Sequence, residues 1–165
     1  MKTKTFILFF SFLTLVATAQ SENEPPYKRF PTLPPLQLLL PDSSTVFSEK
    51  QLKKNRPVLV MLFSPDCDHC QKETEELISH IDQFSGIQIV MTTALPFEKM
   101  KTFYDINRLD RYRNIIVGWD RYFLLPTFYR IKNYPFLAFY DKKGKLIDVF
   151  EGGPPIPVIL SYFSK

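Results

Sequence analysis

The sequence predicts an α/β domain with a central mixed sheet flanked by helices. Two continuous apolar runs, "VLVMLF" (58–63) and "IQIVMTTA" (87–94), are bounded by turn signals. Runs of that length suit strands buried on both faces. Between them, Leu77, Ile78, Ile81 and Phe84 recur at helical spacing with charges on the opposite face. Near the C-terminus, "FLAFYD" and "KLIDVFEG" flank Lys142-Lys143-Gly144, a hairpin signal. Parallel β/α units therefore come first and an antiparallel pair ends the chain.

The elements follow in order. Residues 1–19, "MKTKTFILFFSFLTLVATA", read as a secretory signal peptide. Lys2 and Lys4 form its positive start, Phe6 to Val16 its apolar segment, and Ala17-Thr18-Ala19 a small-x-small cleavage site. The apolar run is well short of the ~20 residues that span a bilayer, which disfavours an uncleaved anchor. Residues 20–35 are polar and proline-rich and read as an extended leader. The folded domain is expected over 36–165. It opens with a short apolar strand in "LQLLL", a turn at Pro41-Asp42-Ser43-Ser44, and a polar helical turn in "EKQLKKN". After the 58–63 strand come a helix from Gln71 to Phe84 and the 87–94 strand. "PFEKMKTFYDIN" reads as a helix opened by Pro96, "NIIVGW" as a short strand, and "DRYFLLPTFYRI" as a helix broken by Pro126. The hairpin and a closing helix in "IPVILSYF" complete the chain.

Composition narrows the function. A chain of 165 residues supports one domain. Hydrophobic residues make up 45%, with 16 Phe and 8 Tyr, so a packed aromatic core is expected and disorder is not. Formal charge is +4, and loss of Lys2 and Lys4 brings it to +2. No basic run marks a nucleic-acid face. With 14 Pro and only 5 Gly, proline supplies much of the turn chemistry.

Both cysteines lie in "FSPDCDHCQKE", directly after the first buried strand and at the start of a helix. Unsatisfied N–H groups and the helix dipole favour an anion there, and the thiolate is the nucleophile in disulfide exchange. Cys67 is expected to be the more exposed and more acidic sulfur, and Cys70 to point inward and resolve a mixed disulfide. A protonated His69 would lower the Cys67 pKa, while Asp68 would raise it. Asp66 or Ser64 is the expected helix N-cap. Other readings stand beside this one. A structural bridge over so short a loop constrains the unfolded chain little. A zinc site needs further ligands, and only His69 and His80 could join the cysteines. Haem attachment needs histidine directly after the second cysteine, where Gln71 stands. No metal site and no cofactor are expected, because a dithiol itself carries two electrons.

From about Pro34 onward the chain resembles the thioredoxin fold, and within it the TlpA/ResA-type exported thiol–disulfide oxidoreductases. "PVLVMLFSPDCDHC", Glu73 three residues after Cys70, and "YRIKNYPFLAFYDKKGKLI" carry the resemblance. It implies that Pro135 is a cis-proline facing the disulfide. Its bond would break the local ladder and leave the Tyr134 backbone free to pair with an extended substrate. On its own, Pro135 reads equally as a trans proline at a strand start. The resemblance also implies that Glu73 assists proton transfer, where the plain alternative is an exposed first-turn glutamate.

The chain departs from thioredoxin itself in three places. Asp66 replaces the tryptophan before the first cysteine, Met61 replaces the buried aspartate beneath the pair, and Asp68-His69 replaces Gly-Pro. Trp119 is expected in the core. His80, Tyr104, Tyr112, Tyr122 and Tyr129 are read as structural or surface residues. The resemblance implies an exported, periplasmic reductase acting on protein disulfides or dithiols and re-reduced by a membrane redox partner. Two alternatives remain: a peptide-binding module with a structural disulfide, and a thiol peroxidase. For the peroxidase, Ser64-Pro65-Asp66-Cys67 matches a fragment of the peroxiredoxin pattern, with Val60 where its upstream proline belongs.

Overall fold

The structure, a computed structural model, describes residues 24–164. The expected signal peptide and its cleavage site lie outside those residues. The chain forms a seven-stranded sheet with strand order β2-β1-β5-β4-β3-β6-β7. The strands are β1 Leu38–Leu39, β2 Val46–Phe47, β3 Val58–Leu62, β4 Gln88–Thr93, β5 Ile115–Trp119, β6 Phe136–Tyr140 and β7 Leu146–Glu151. β3, β4 and β5 are parallel; β6 runs antiparallel to β3, and β7 to β6. All five β3 residues and all five β6 residues are buried, as their unbroken apolar runs require.

The alternation of side chains along the strands sorts the core into two layers. Leu59 and Met61 of β3, with Leu137 and Phe139 of β6, face one layer. There they meet the helices α2 (Asp68–Ser79), α3 (Phe97–Ile106) and α5 (Ile156–Ser161) through Cys70, Leu77, Met100, Phe103, Ile156 and Ile159. Val58, Val60 and Leu62 face the other layer, with Phe136, Ala138 and Tyr140. α4 (Leu124–Tyr129) covers that layer through Leu125 and Tyr129. Tyr129 is buried, not exposed, and its hydroxyl meets that of Tyr140 at 2.5 Å.

Several elements differ from the sequence reading. The helix expected within residues 120–131 is not broken at Pro126. It begins at Leu124, so Pro126 sits in its first turn, where the missing N–H has no partner to lose. Residues 121–123 form a turn that ends with Phe123 in the left-handed region (φ 57°). The buried Asp120 caps this helix, accepting from Leu124 N–H at 3.1 Å and Leu125 N–H at 2.7 Å. The helix after the cysteines starts three residues earlier than expected, at Asp68, and stops at Ser79; a separate 3₁₀ turn covers Ile81–Phe84. Val46–Phe47, assigned to no element from the sequence, pairs with β1, and β1 extends the sheet beyond β5.

The leader is not simply extended over its described part. Pro26–Arg29 form one helical turn, α1, with Tyr27 packed on Tyr129. Leu33 N–H donates to Gly144 O, and Leu146 N–H to Pro31 O, which ties the segment to the β6–β7 hairpin. Among the described residues no helix is long and apolar enough to cross a membrane.

Candidate active site

β3 delivers the chain to the edge where the parallel strands end. Phe63 N–H still donates to Thr92 O, and a tight turn then brings Cys67 N–H onto Ser64 O at 3.1 Å. Cys67 is itself the N-cap residue of α2, a place expected for Asp66 or Ser64. Its backbone is extended, and its carbonyl accepts the first helical bonds from Cys70 N–H and Gln71 N–H, both 3.0 Å. No side chain caps the helix, so the free N–H groups of the first turn face the Cys67 end. Gln71 braces the turn by donating from Nε2 to Pro65 O at 3.0 Å. Asp66 instead forms an exposed ion pair with Lys99.

The two sulfurs occupy different surroundings. Cys67 is half-buried and Cys70 fully buried, and their side chains lie within reach of each other. Ser64 N–H lies 3.5 Å from Cys70 Sγ. Burial pushes the Cys70 thiol up to about 12, with smaller contributions from Cys67 and Glu73. Cys67 Sγ lies 4.0 Å from the carbonyl oxygen of Tyr134. The Tyr134–Pro135 bond is cis. Tyr134 is half-buried, and its phenol is raised above the usual tyrosine range, first by desolvation. Asp68 and His69, between the cysteines, are both exposed.

Glu73 is not an exposed first-turn acid. It sits one turn after Cys70 on the same helical face, with 6% of its surface accessible. Burial, followed by the neighbouring charge of Glu76, raises its pKa to about 7. Its Oε1 has no hydrogen-bond partner among the described residues. Its carboxyl lies at a cleft of about 440 Å³, lined on α2 by His69, Glu73, Glu76 and His80 and opposite by Gly153–Pro157. His80 caps the C-terminal end of α2, and its Nδ1 lies 2.9 Å from both Ser79 Oγ and Glu76 O. Among the described residues, no three His, Cys, Asp or Glu side chains are placed to hold a metal ion.

The structure thus brings Cys67, Cys70, Glu73 and Tyr134–Pro135 to one place, with Asp68 and His69 on its solvent side. Met61, where thioredoxin itself has an aspartate, is wholly buried and apolar. Trp119 is half-buried at the end of β5, edge-on to Phe97 at 6.0 Å. The sequence reading missed the Gly152-Gly153-Pro154-Pro155 segment that closes the site opposite Glu73. Two glycines running into two prolines were the signal available for it.

Solved structures share this architecture. A thiol-disulfide oxidoreductase from Bacteroides fragilis aligns with a TM-score of 0.64 at 16% identity, over 79% of this chain and 97% of that one. StoA from Bacillus subtilis aligns with a TM-score of 0.62 at 14% identity, over 80% and 98%. The peroxidoxin BcpB from Mycobacterium tuberculosis aligns with a TM-score of 0.65 at 15% identity, over 79% and 89%. Identities this low establish a shared fold and nothing finer. No curated protein matches the sequence. The model of the thioredoxin-like domain matches residues 48–165, more than half of the chain and the whole of the cysteine site. The chain belongs to the thioredoxin-like domain family.

Proposed function

We propose that this protein is a thiol–disulfide oxidoreductase in which Cys67 is the nucleophile and Cys70 the resolving thiol. The observation that carries the reading is the unequal placement of the two sulfurs. Cys67 stands half-exposed at an uncapped helix N-terminus, and Cys70 is buried one turn behind it. The free N–H groups and the dipole stabilise a Cys67 thiolate as it forms or leaves. That thiolate attacks a sulfur of a substrate disulfide. One substrate sulfur leaves with the bonding electrons, and the other is held to Cys67 as a mixed disulfide. Cys70 then attacks Cys67 Sγ. The Cys67–Cys70 bond forms, the second substrate sulfur leaves, and two electrons have passed to the substrate.

The second step needs a base, because burial keeps Cys70 a thiol at neutral pH. Glu73, raised to about 7, is a matched acceptor one turn away. With the thiol raised far above the carboxyl, full transfer ahead of attack would be uphill. Proton transfer and sulfur attack therefore go together. The Tyr134 carbonyl beside Cys67 supports the docking of an extended substrate backbone across the cis-proline segment. Asp68 and His69 stand exposed between the cysteines, where a substrate would meet them.

The finer reading is of an exported, periplasmic reductase of the TlpA/ResA type, acting on protein disulfides and recharged by a membrane redox partner. The residue pattern and the signal-peptide character of residues 1–19 support it. No cofactor is needed, since the Cys67–Cys70 dithiol holds the electrons. The test is the reduction of a protein disulfide by the reduced, mature chain. Cys67→Ser is expected to abolish it, and Cys70→Ser to accumulate a mixed disulfide at Cys67. Binding of a peptide that survives Cys67→Ser, with no exchange by the wild type, would instead favour a binding module. Rapid consumption of hydroperoxide without protein disulfide exchange would favour a peroxidase.

A further inference from the structure

Gly152 and Gly153 are adjacent, yet glycine is needed at them for different reasons. Gly152 has φ +103°, a conformation that L side chains rarely adopt. Gly153 has no such backbone requirement. What it lacks is room: a Cβ there would lie 2.2 Å from Glu73 Oε2 and 3.2 Å from Glu73 Cδ. The three heavy atoms nearest to it all belong to the Glu73 side chain. Pro154 and Pro155 follow and stiffen the loop, so an added methyl would move the flexible carboxyl and not the backbone.

We propose that Gly153 is a positioning residue for Glu73: its missing side chain leaves the space in which the carboxyl is held, beside the open cleft and one helical turn from Cys70. The groups facing that carboxyl are Cys70 and Glu76 on its own helix, with His69, Lys72 and His80 along the cleft. The opposite wall, Gly153 to Pro157, contains no titratable side chain. Gly153 thus lets the loop close over one side of the carboxyl, and burial raises its pKa to about 7, so that neutral and ionised forms are both present near neutral pH. The catalytic consequence rests on the oxidoreductase reading above; the placement does not. In the resolving step the Cys70 thiol proton passes to a Glu73 carboxylate oxygen as Cys70 Sγ bonds to Cys67 Sγ. The bond from Cys67 to the substrate sulfur breaks, and that sulfur leaves with its electron pair and takes a proton from water. Glu73 then returns its proton to water in the cleft.

The experiment compares wild type and Gly153→Ala as full-length mature protein. The Glu73 carboxyl is titrated by carbon-13 NMR, and the rate of mixed-disulfide resolution is followed against pH. The midpoint is expected to fall from about 7 toward the ordinary value of 4.5. The resolving rate is expected to drop on the order of 10- to 100-fold, as displacement of a positioned group does, and to lose its pH dependence near 7. In a Glu73→Gln background, Gly153→Ala is expected to slow the step no further. An unchanged Glu73 midpoint, or additive losses in the double variant, would overturn the proposal. If Gly153→Ala does not fold, Glu73→Ala/Gly153→Ala decides: it is expected to fold as Glu73→Ala does, and its failure would show that the loop needs glycine for its own sake. A wild type that exchanges no disulfides would sink the oxidoreductase reading, while the titration would still decide the placement.

Discussion

Cys67 Sγ and the carbonyl oxygen of Tyr134 face each other at 4.0 Å across the site, although 67 residues separate them in sequence. The pairing of β3 with β6, Leu62 opposite Phe136, produces this meeting. It places the cysteine turn after one strand against the Tyr134–Pro135 segment before the other. A sulfur is thereby set beside a backbone acceptor.

The two thiols are expected to differ sharply in reactivity. In the reduced protein at pH 7, iodoacetamide should label Cys67 and leave Cys70. A thiol raised from 9.0 to about 12 holds about 10³-fold less thiolate than an ordinary one. Peptide mapping of the alkylated protein checks this; equal labelling in the folded state would contradict the burial of Cys70.

Glu73 is expected to trade stability for function. Its folded pKa, about 7, is above the ordinary 4.5, so the fold prefers the protonated form. The stability this contributes is complete below about pH 4.5 and is lost as pH rises through 7. Glu73→Gln should therefore gain on wild type between pH 5 and pH 8, by on the order of 2 kcal/mol, water in the cleft screening the rest of the shift. Urea unfolding of both reduced proteins at the two pH values measures it. The same variant should slow resolution of the mixed disulfide by on the order of 100-fold.

Asp120→Ala should destabilise the protein by about 1–2 kcal/mol, because α4 loses the carboxylate that accepts from Leu124 and Leu125 N–H. Asp120→Asn, which keeps one acceptor, should recover part of the loss. Thermal unfolding of the three proteins reads the difference.

The hydroxyls of Tyr129 and Tyr140 satisfy each other in the second core layer. Either single Phe substitution leaves a buried hydroxyl unpaired and should cost about 1–3 kcal/mol. Replacing both removes the need and should cost less than the two single losses together. A double-mutant cycle by denaturant unfolding checks the sign.

Much of this was legible because the signals are local. Unbroken apolar runs can be buried only between two layers, so β3, β4 and β6 stood out. The strand–CxxC–helix order placed the cysteines before any coordinates. What was not legible depends on distant partners. Asp120 reads as a polar turn residue until α4 is seen to start at Leu124. Val46–Phe47 is too short to signal a strand without β1 beside it. Tyr129 could be read as either structural or surface until its partner, Tyr140, is seen on another element. Gly153 reads as turn chemistry, and only the approach of Glu73 from α2 shows why nothing larger fits.

The central claim is that Cys67 and Cys70 form a reversible two-electron couple in the folded protein. Equilibrating the mature chain with graded glutathione buffers, and scoring the two thiols, tests it most directly. The account predicts a single two-electron titration with the fold intact throughout, with a potential near about −270 mV for a reductase. A pair that cannot be reduced without unfolding the chain would contradict it.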